Sequence, residues 1–323
     1  MPSKSKTQPA RVAPHLRPPP EVVDPIWLLK ALGICFVAAL ICGYATLCLL
    51  FYQGDWQLIL HPSHTIDRTP DAVGLAYSGI NFDSTETGQP RLTGWWIPAA
   101  PTGFQPRNAA FTILYLHDGS GSLSDTIPAL ALLHQTGLNV FAIDYRGFGA
   151  SDSSAHPSAE HMTDDTFAAL DYLTSTRHLP ASSIVPYGAG LGASLAAHLA
   201  QSHPDLRAVI LDNPNPDPAS AAIAAHPSDP VPVRLLFGDQ FNIATPLTTL
   251  ATPKLLIAGG PSSAAQPDER KLESLFAHAA SPHMTVTLPS ANSDHAYLDS
   301  LSRFLDQYLP AGPAPPAESG KSR

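Results

Sequence analysis

The longest apolar stretch of the chain runs from Ala31 to Tyr52, ALGICFVAALICGYATLCLLFY, 22 residues without a charged side chain. Wound as an α-helix it would extend about 33 Å, enough to cross a hydrocarbon layer about 30 Å thick. Trp27, Tyr52 and Trp56 fall near its two ends, where amphipathic rings settle at membrane–water interfaces. A core helix of a globular domain would carry a polar face, and none interrupts this run. A cleaved secretion signal would have an apolar region of roughly 7–15 residues closed by a small-x-small site. This run is longer and ends in Leu-Phe-Tyr-Gln. The pattern predicts one uncleaved transmembrane helix, within an anchor at residues 26–55.

Beyond the anchor the pattern changes to short apolar runs separated by helical periodicity. Residues 75–82 and 91–97 predict an opening antiparallel pair. The runs at 112–116, 139–143, 183–187, 208–211, 254–257 and 284–288 suit strands buried on both faces of a parallel sheet. Helical spacing falls at 124–135, 159–176, 191–202, 268–279 and 295–308. Strand and helix in alternation predict an α/β domain over residues 56–309, a mostly parallel doubly wound sheet. Functional groups in such sheets gather at the carboxyl ends of the strands. The Pro-rich stretch at about 213–252 reads as a short cap region. Residues 1–25 and 310–323 are rich in proline and poor in aromatics, and read as disordered tails.

Charge and cysteine usage narrow the function classes. The formal net charge is −9 and no long basic run occurs in the interior, which argues against a nucleic-acid partner. The three cysteines, Cys35, Cys42 and Cys48, all lie in the apolar segment. The domain therefore has no cysteine for a disulfide, a thiolate metal site or a cysteine nucleophile. No metal or cofactor motif is recognisable. Lys4, Lys6, Arg11, Arg17 and Lys30 precede the apolar run, against Glu21 and Asp24; after it Asp55 comes before the first positive residue, Arg68. The positive-inside rule predicts a cytoplasmic N-terminus and an extracytoplasmic domain, periplasmic in a bacterium.

Four predicted strand ends carry the chemistry. They are His117-Asp118-Gly119-Ser120-Gly121, Asp144-Tyr145-Arg146-Gly147-Phe148-Gly149-Ala150-Ser151, Gly188-Ala189-Gly190-Leu191-Gly192 and, near the end, Ser293-Asp294-His295. In this order and spacing, over about residues 75–308, they resemble the α/β-hydrolase family. The likeness is to membrane-anchored serine hydrolases with a His-Gly oxyanion loop and an Asp-Tyr-Arg-Gly-x-Gly-x-Ser segment. The resemblance implies an α/β-hydrolase fold preceded by one transmembrane helix, and a nucleophile–acid–histidine triad.

At each of three functional places the chain departs from that pattern. A nucleophile elbow is Gly-x-Ser-x-Gly, a strained strand-to-helix turn that exposes the serine oxygen; here Gly190 stands at the serine's place. The acid's place falls at or near Ser262, with Asp212, one strand earlier, as a substitute acid, or as a turn or helix cap. Asp268 reads as the start of a helix, where a carboxylate suits the dipole. In the oxyanion loop, which continues into Gly119, the family's His-Gly becomes His117-Asp118, so a carboxylate stands near where negative charge would develop and opposes it; the amide of Leu191 remains as a donor. His295 matches the triad histidine, although a histidine at a helix start also serves as a cap or a surface residue. Ser194 lies one helical turn past the elbow, about 6 Å from the place of attack, and reads as a packing residue.

Two functions follow. One is a non-catalytic hydrolase homologue, a pseudoenzyme that binds a small acyl-type ligand or a protein partner. The other is a working hydrolase of esters, thioesters or peptides using Ser120, Ser194 or a water activated by His295.

Overall fold

The computed structural model describes residues 24–83, 90–100, 109–154, 156–225, 233–234, 239–259, 268–288 and 293–309. The predicted tails lie outside the described residues, apart from residues 24 and 25. The chain divides into two units, Met1–Leu50 and Phe51–Arg323. The apolar run forms helix α1, Pro25–Gly54, 30 residues with none buried. Its mean hydropathy reaches 2.5 over the most apolar window, long and apolar enough to cross a membrane.

The second unit is built on eight strands: β1 Ser78–Asp83, β2 Pro90–Ile97, β3 Thr112–Leu116, β4 Asn139–Asp144, β5 Ile184–Ala189, β6 Val209–Asp212, β7 Lys254–Ala258 and β8 His283–Thr287. They lie in the order β8-β7-β6-β5-β3-β4-β2-β1. β1 and β2 pair antiparallel, as do β2 and β4. Every other neighbouring pair is parallel. The central strands are the uninterrupted apolar runs of the sequence because both faces are covered: all five residues of β3 and all six of β5 are buried.

Among the described residues these helices accompany the strands: α2 Leu123–His134, α3 Ala159–Asp171, α4 Gly192–Ser202, α5 Pro218–Ala225, α6 Ala244–Thr249, α7 Glu269–Ala277 and α8 Ser293–Tyr308. Side chains alternate across a strand, so β3 sends Leu114 and Leu116 into one core and Ile113 and Tyr115 into the other. The first core takes residues of α3, α4, α6 and α7, the second residues of α2 and α8. Helix α3 continues as a π-helical turn through Tyr172–Thr176, which is why its periodicity reads to 176. Helix α4 begins one residue later than its pattern, at Gly192, because Leu191 belongs to the turn out of β5. Asp268 caps α7, its side chain accepting from the Arg270 amide at 3.0 Å. Of the stretch read from the sequence as a cap, residues 213–225, 233–234 and 239–252 are described, and they include α5 and α6.

Candidate active site

Gly190 stands between β5 and α4 with φ +57°. That is the left-handed region which glycine enters without a Cβ penalty. The turn is closed by backbone contacts, the Gly190 amide donating to the Asp212 carbonyl at 2.9 Å and the Ala193 amide to the Gly190 carbonyl at 3.3 Å. The flanking glycines are demanded by packing. A Cβ at Gly188 would strike the backbone of Gly192 and Ala193, and one at Gly192 the carbonyls of Leu116 and His117. The bend brings the strand and helix backbones into close approach, and Gly190 presents no side chain there.

Asp118 reaches this bend from the end of β3. Its Oδ1 accepts a hydrogen bond from the Leu191 amide at 2.7 Å, and a Cβ built on Gly190 would collide with the same carboxylate. The Leu191 amide is therefore not an open donor, which corrects the reading from sequence. The loop carrying Asp118 is pinned by the segment after α1: the His61 amide donates to the Gly119 carbonyl at 2.7 Å, and the Ser63 amide to the Gly121 carbonyl at 2.9 Å. Gly119 sits tightly between Leu191 and Leu60. Burial raises the Asp118 pKa above its ordinary value, while hydrogen bonds from the amides of Leu191 and Gly119 pull it down. The Leu191 amide already holds the chain's own carboxylate.

Behind the loop is a polar pair that the sequence did not single out. His117 is buried, and its Nδ1 lies 2.6 Å from the Asp118 carbonyl. A carbonyl only accepts, so Nδ1 carries the hydrogen. Its Nε2 faces Asp144 Oδ1 at 3.7 Å and has no hydrogen-bond partner among the described residues. Asp144 accepts from the amides of Leu123 at 3.0 Å and Ala150 at 3.4 Å. Burial raises Asp144 to about 7 and lowers His117 to about 4. Between those values burial keeps Asp144 protonated and the His117 ring neutral. The available signal was the sequence itself, a His and an Asp each directly following a buried strand run.

The other predicted residues go elsewhere. Asp212, at the end of β6, is buried, and its Oδ2 accepts from the Tyr187 hydroxyl at 2.6 Å; Tyr187 in turn accepts from Tyr297 at 3.1 Å. This ladder runs into the core shared with α2 and α8. His295 is exposed on the first turn of α8. Ser194 is buried, and its hydroxyl donates to the Leu191 carbonyl at 2.8 Å. Ser120 is exposed in a two-residue bridge to His61–Pro62. Ser262 lies outside the described residues. The structure thus brings Gly190, Leu191, Asp118 and Gly119 together at one strand-end turn. Among the described residues no cluster of His, Cys, Asp and Glu could hold a metal ion.

The chain shares this architecture with known proteins. Residues 110–236 match the family described as serine aminopeptidase, S33. An uncharacterized protein of Mycobacterium tuberculosis, Rv2307c, is 26% identical over 285 residues, covering 86% of this chain and 96% of the relative. The uncharacterized protein YfhR of Salmonella typhimurium is 28% identical over 239 residues, 68% of this chain and 79% of the relative. The α/β-hydrolase domain-containing protein WAV2 of Arabidopsis thaliana is 33% identical over 147 residues, 45% of each chain. Among solved structures, the Pyrococcus furiosus esterase Pf2001 superposes with a TM-score of 0.58 at 18% identity, over 78% of this chain and 98% of the esterase. The strand order, the strand–turn–helix at Gly190 and these likenesses together make the chain a protein of the α/β-hydrolase fold, similar in its central segment to the serine aminopeptidase S33 family.

Proposed function

We propose that this chain is a membrane-anchored α/β-hydrolase homologue that does not work through a serine nucleophile, and that it acts by binding a small acyl-type ligand or a protein partner. The observation that carries the reading is the Asp118 carboxylate seated on the Leu191 amide beside Gly190. Acyl transfer needs a nucleophilic oxygen at this bend and empty donors where the oxyanion forms. Gly190 supplies no oxygen, and Asp118 brings negative charge to the donor before any substrate arrives. Loss of the serine alone leaves a residual of roughly 10³–10⁴ over the uncatalysed rate in serine hydrolases. A carboxylate on the oxyanion donor removes part of that residual too.

The helix at Pro25–Gly54 supports anchoring, and the excess of Lys and Arg before it supports a cytoplasmic N-terminus with the domain on the other side. Protease added outside intact cells or spheroplasts should then digest the domain and spare the N-terminal tail.

The catalytic half of the proposal is tested on the full chain in detergent with a fluorophosphonate probe and short-chain nitrophenyl esters. The expected result is no covalent labelling and hydrolysis at the buffer rate. Labelling that disappears in Ser194→Ala or Ser120→Ala would overturn the proposal.

A further inference from the structure

A second site lies apart from the Gly190 turn, in a cavity of about 790 Å³ lined by residues that include Tyr52, Trp56, His156, Glu160, His161 and Gln240. Resting on the anchored reading above, we propose that this cavity holds the amine-bearing headgroup of a zwitterionic phospholipid, of the ethanolamine or choline type. None of the residues named in the turn at Gly190 lines it.

Position is the first argument. Tyr52 belongs to the last turn of α1, and Trp56 to the 3-10 turn that follows, Asp55–Leu58. The cavity wall therefore begins where the uncharged run of the chain stops. In a spanning helix that is the level of the lipid headgroups, where Tyr and Trp rings settle.

Charge is the second. Among the described residues lining the cavity none is Lys or Arg, and Glu160 is the one carboxylate. A ligand that is only anionic would find no fixed counter-charge. An ammonium group would find a carboxylate and two aromatic rings, the pattern by which proteins recognise quaternary and primary ammonium ligands. The carboxamide of Gln53, also in the lining, offers a neutral donor for the phosphodiester oxygens of the same headgroup.

Preorganisation is the third. The Trp56 ring is stacked on His156 with centroids 5.6 Å apart and planes 10° from parallel. His161 is fixed in turn by its Nδ1, 3.1 Å from the His156 carbonyl. Nearby, Phe51, Leu58 and Ile59 pack against the cluster of Ala219 and Val233, so the segment carrying Trp56 is held against residues that follow β6. Rings already locked in place lose little entropy when a ligand arrives.

The test uses the full chain in a non-ionic detergent, titrated calorimetrically with monomeric dihexanoyl phosphatidylethanolamine and phosphatidylcholine, and with dihexanoyl phosphatidylglycerol as the anionic control. The amine lipids should bind at least about tenfold more tightly than the glycerol lipid. Glu160→Gln and Trp56→Ala should each weaken amine-lipid binding about tenfold, and Trp56→Tyr should restore most of the loss at that position. Glu160 is exposed, so its variant keeps the fold and remains informative if the tryptophan variant does not. Equal binding of the glycerol lipid, no binding of either amine lipid, or wild-type affinity in Glu160→Gln would overturn the proposal. Equal affinity for free phosphoethanolamine would overturn the assignment to lipid. Flotation of the wild-type chain with liposomes of phosphatidylglycerol alone reports anchoring without the headgroup, so a failure of the anchor is distinguished from a failure of the site.

Discussion

Placing a serine at the bend should fail unless Asp118 is removed with it. A Cβ on Gly190 lands on the Asp118 carboxylate, so Gly190→Ser must push that group off the Leu191 amide, where it now accepts at 2.7 Å. Losing a hydrogen bond to a charged acceptor in a partly buried site costs about 1.5–3 kcal/mol. Holding an L-residue at φ +57° adds about 1–2 kcal/mol. The single variant should therefore lose about 2.5–5 kcal/mol, a large part of the stability of a typical domain. Asp118→Gly alone should cost about 1–3 kcal/mol by leaving the Leu191 amide unpaired. Both single variants lose the same hydrogen bond, so the double variant counts it once and lies above the sum of the singles by about 1.5–3 kcal/mol. Urea unfolding of the wild type, both singles and the double, in one detergent at one concentration, closes this cycle. Additivity within about 0.5 kcal/mol, or a cost below about 1 kcal/mol for Gly190→Ser, would refute the placement of the carboxylate. The double variant is also the form in which esterase activity should be sought. Gly190→Ser alone, or combined only with Ser262→Asp, keeps a negative charge beside the new hydroxyl.

Three further outcomes follow from the same structure. Burial raises Asp144 from 3.8 to about 7, so between these values the folded chain holds the extra proton and this group's contribution to stability falls as pH rises. Burial lowers His117 from 6.5 to about 4, so the unfolded chain holds the extra proton there and that contribution grows as pH rises. The two slopes cancel between about pH 4 and 6.5 while both groups are present; His117→Asn should leave a stability that falls by up to about 1.4 kcal/mol per pH unit over that window, and a variant curve parallel to the wild type would sink the assignment of opposed shifts to these two residues. Lys254 is buried and donates to the carbonyls of Leu250, Ala280 and Pro282 at 2.8, 2.7 and 3.2 Å; Lys254→Met should cost about 3 kcal/mol in urea unfolding, and a loss under about 1 kcal/mol would contradict its bridging role. Ser194→Ala removes one hydrogen bond to Leu191 and should lower stability by about 1 kcal/mol with no change in fluorophosphonate reactivity.

Much of the architecture was legible because it follows from local periodicity. Strands covered on both faces have no polar alternation, so β3 appears in the sequence as the run Thr112–Leu116 and in the structure with the same bounds. Helices α2, α3, α7 and α8 fall within a few residues of their apolar spacing, since each buries one stripe against the sheet. The bend at Gly190 was legible too: three glycines in alternate positions between a strand and a helix leave little else for the backbone to do. What the sequence could not place are contacts between residues far apart in the chain. Asp118 and the Leu191 amide are 73 positions apart, and their meeting depends on the parallel pairing of β3 with β5 and on the direction the side chain takes at the strand end. Asp212 carries the expectation of a substitute acid, and only the fold sets the Tyr187 hydroxyl on it, with Tyr297 bonded to Tyr187 in turn. Hydrophobic period is a property of neighbouring residues, so the sequence alone determined strand, helix and membrane-length segment. The direction of a polar side chain is settled by what the folded sheet brings beside it, and so tertiary structure alone decided that the amide at the bend is occupied by the chain's own carboxylate.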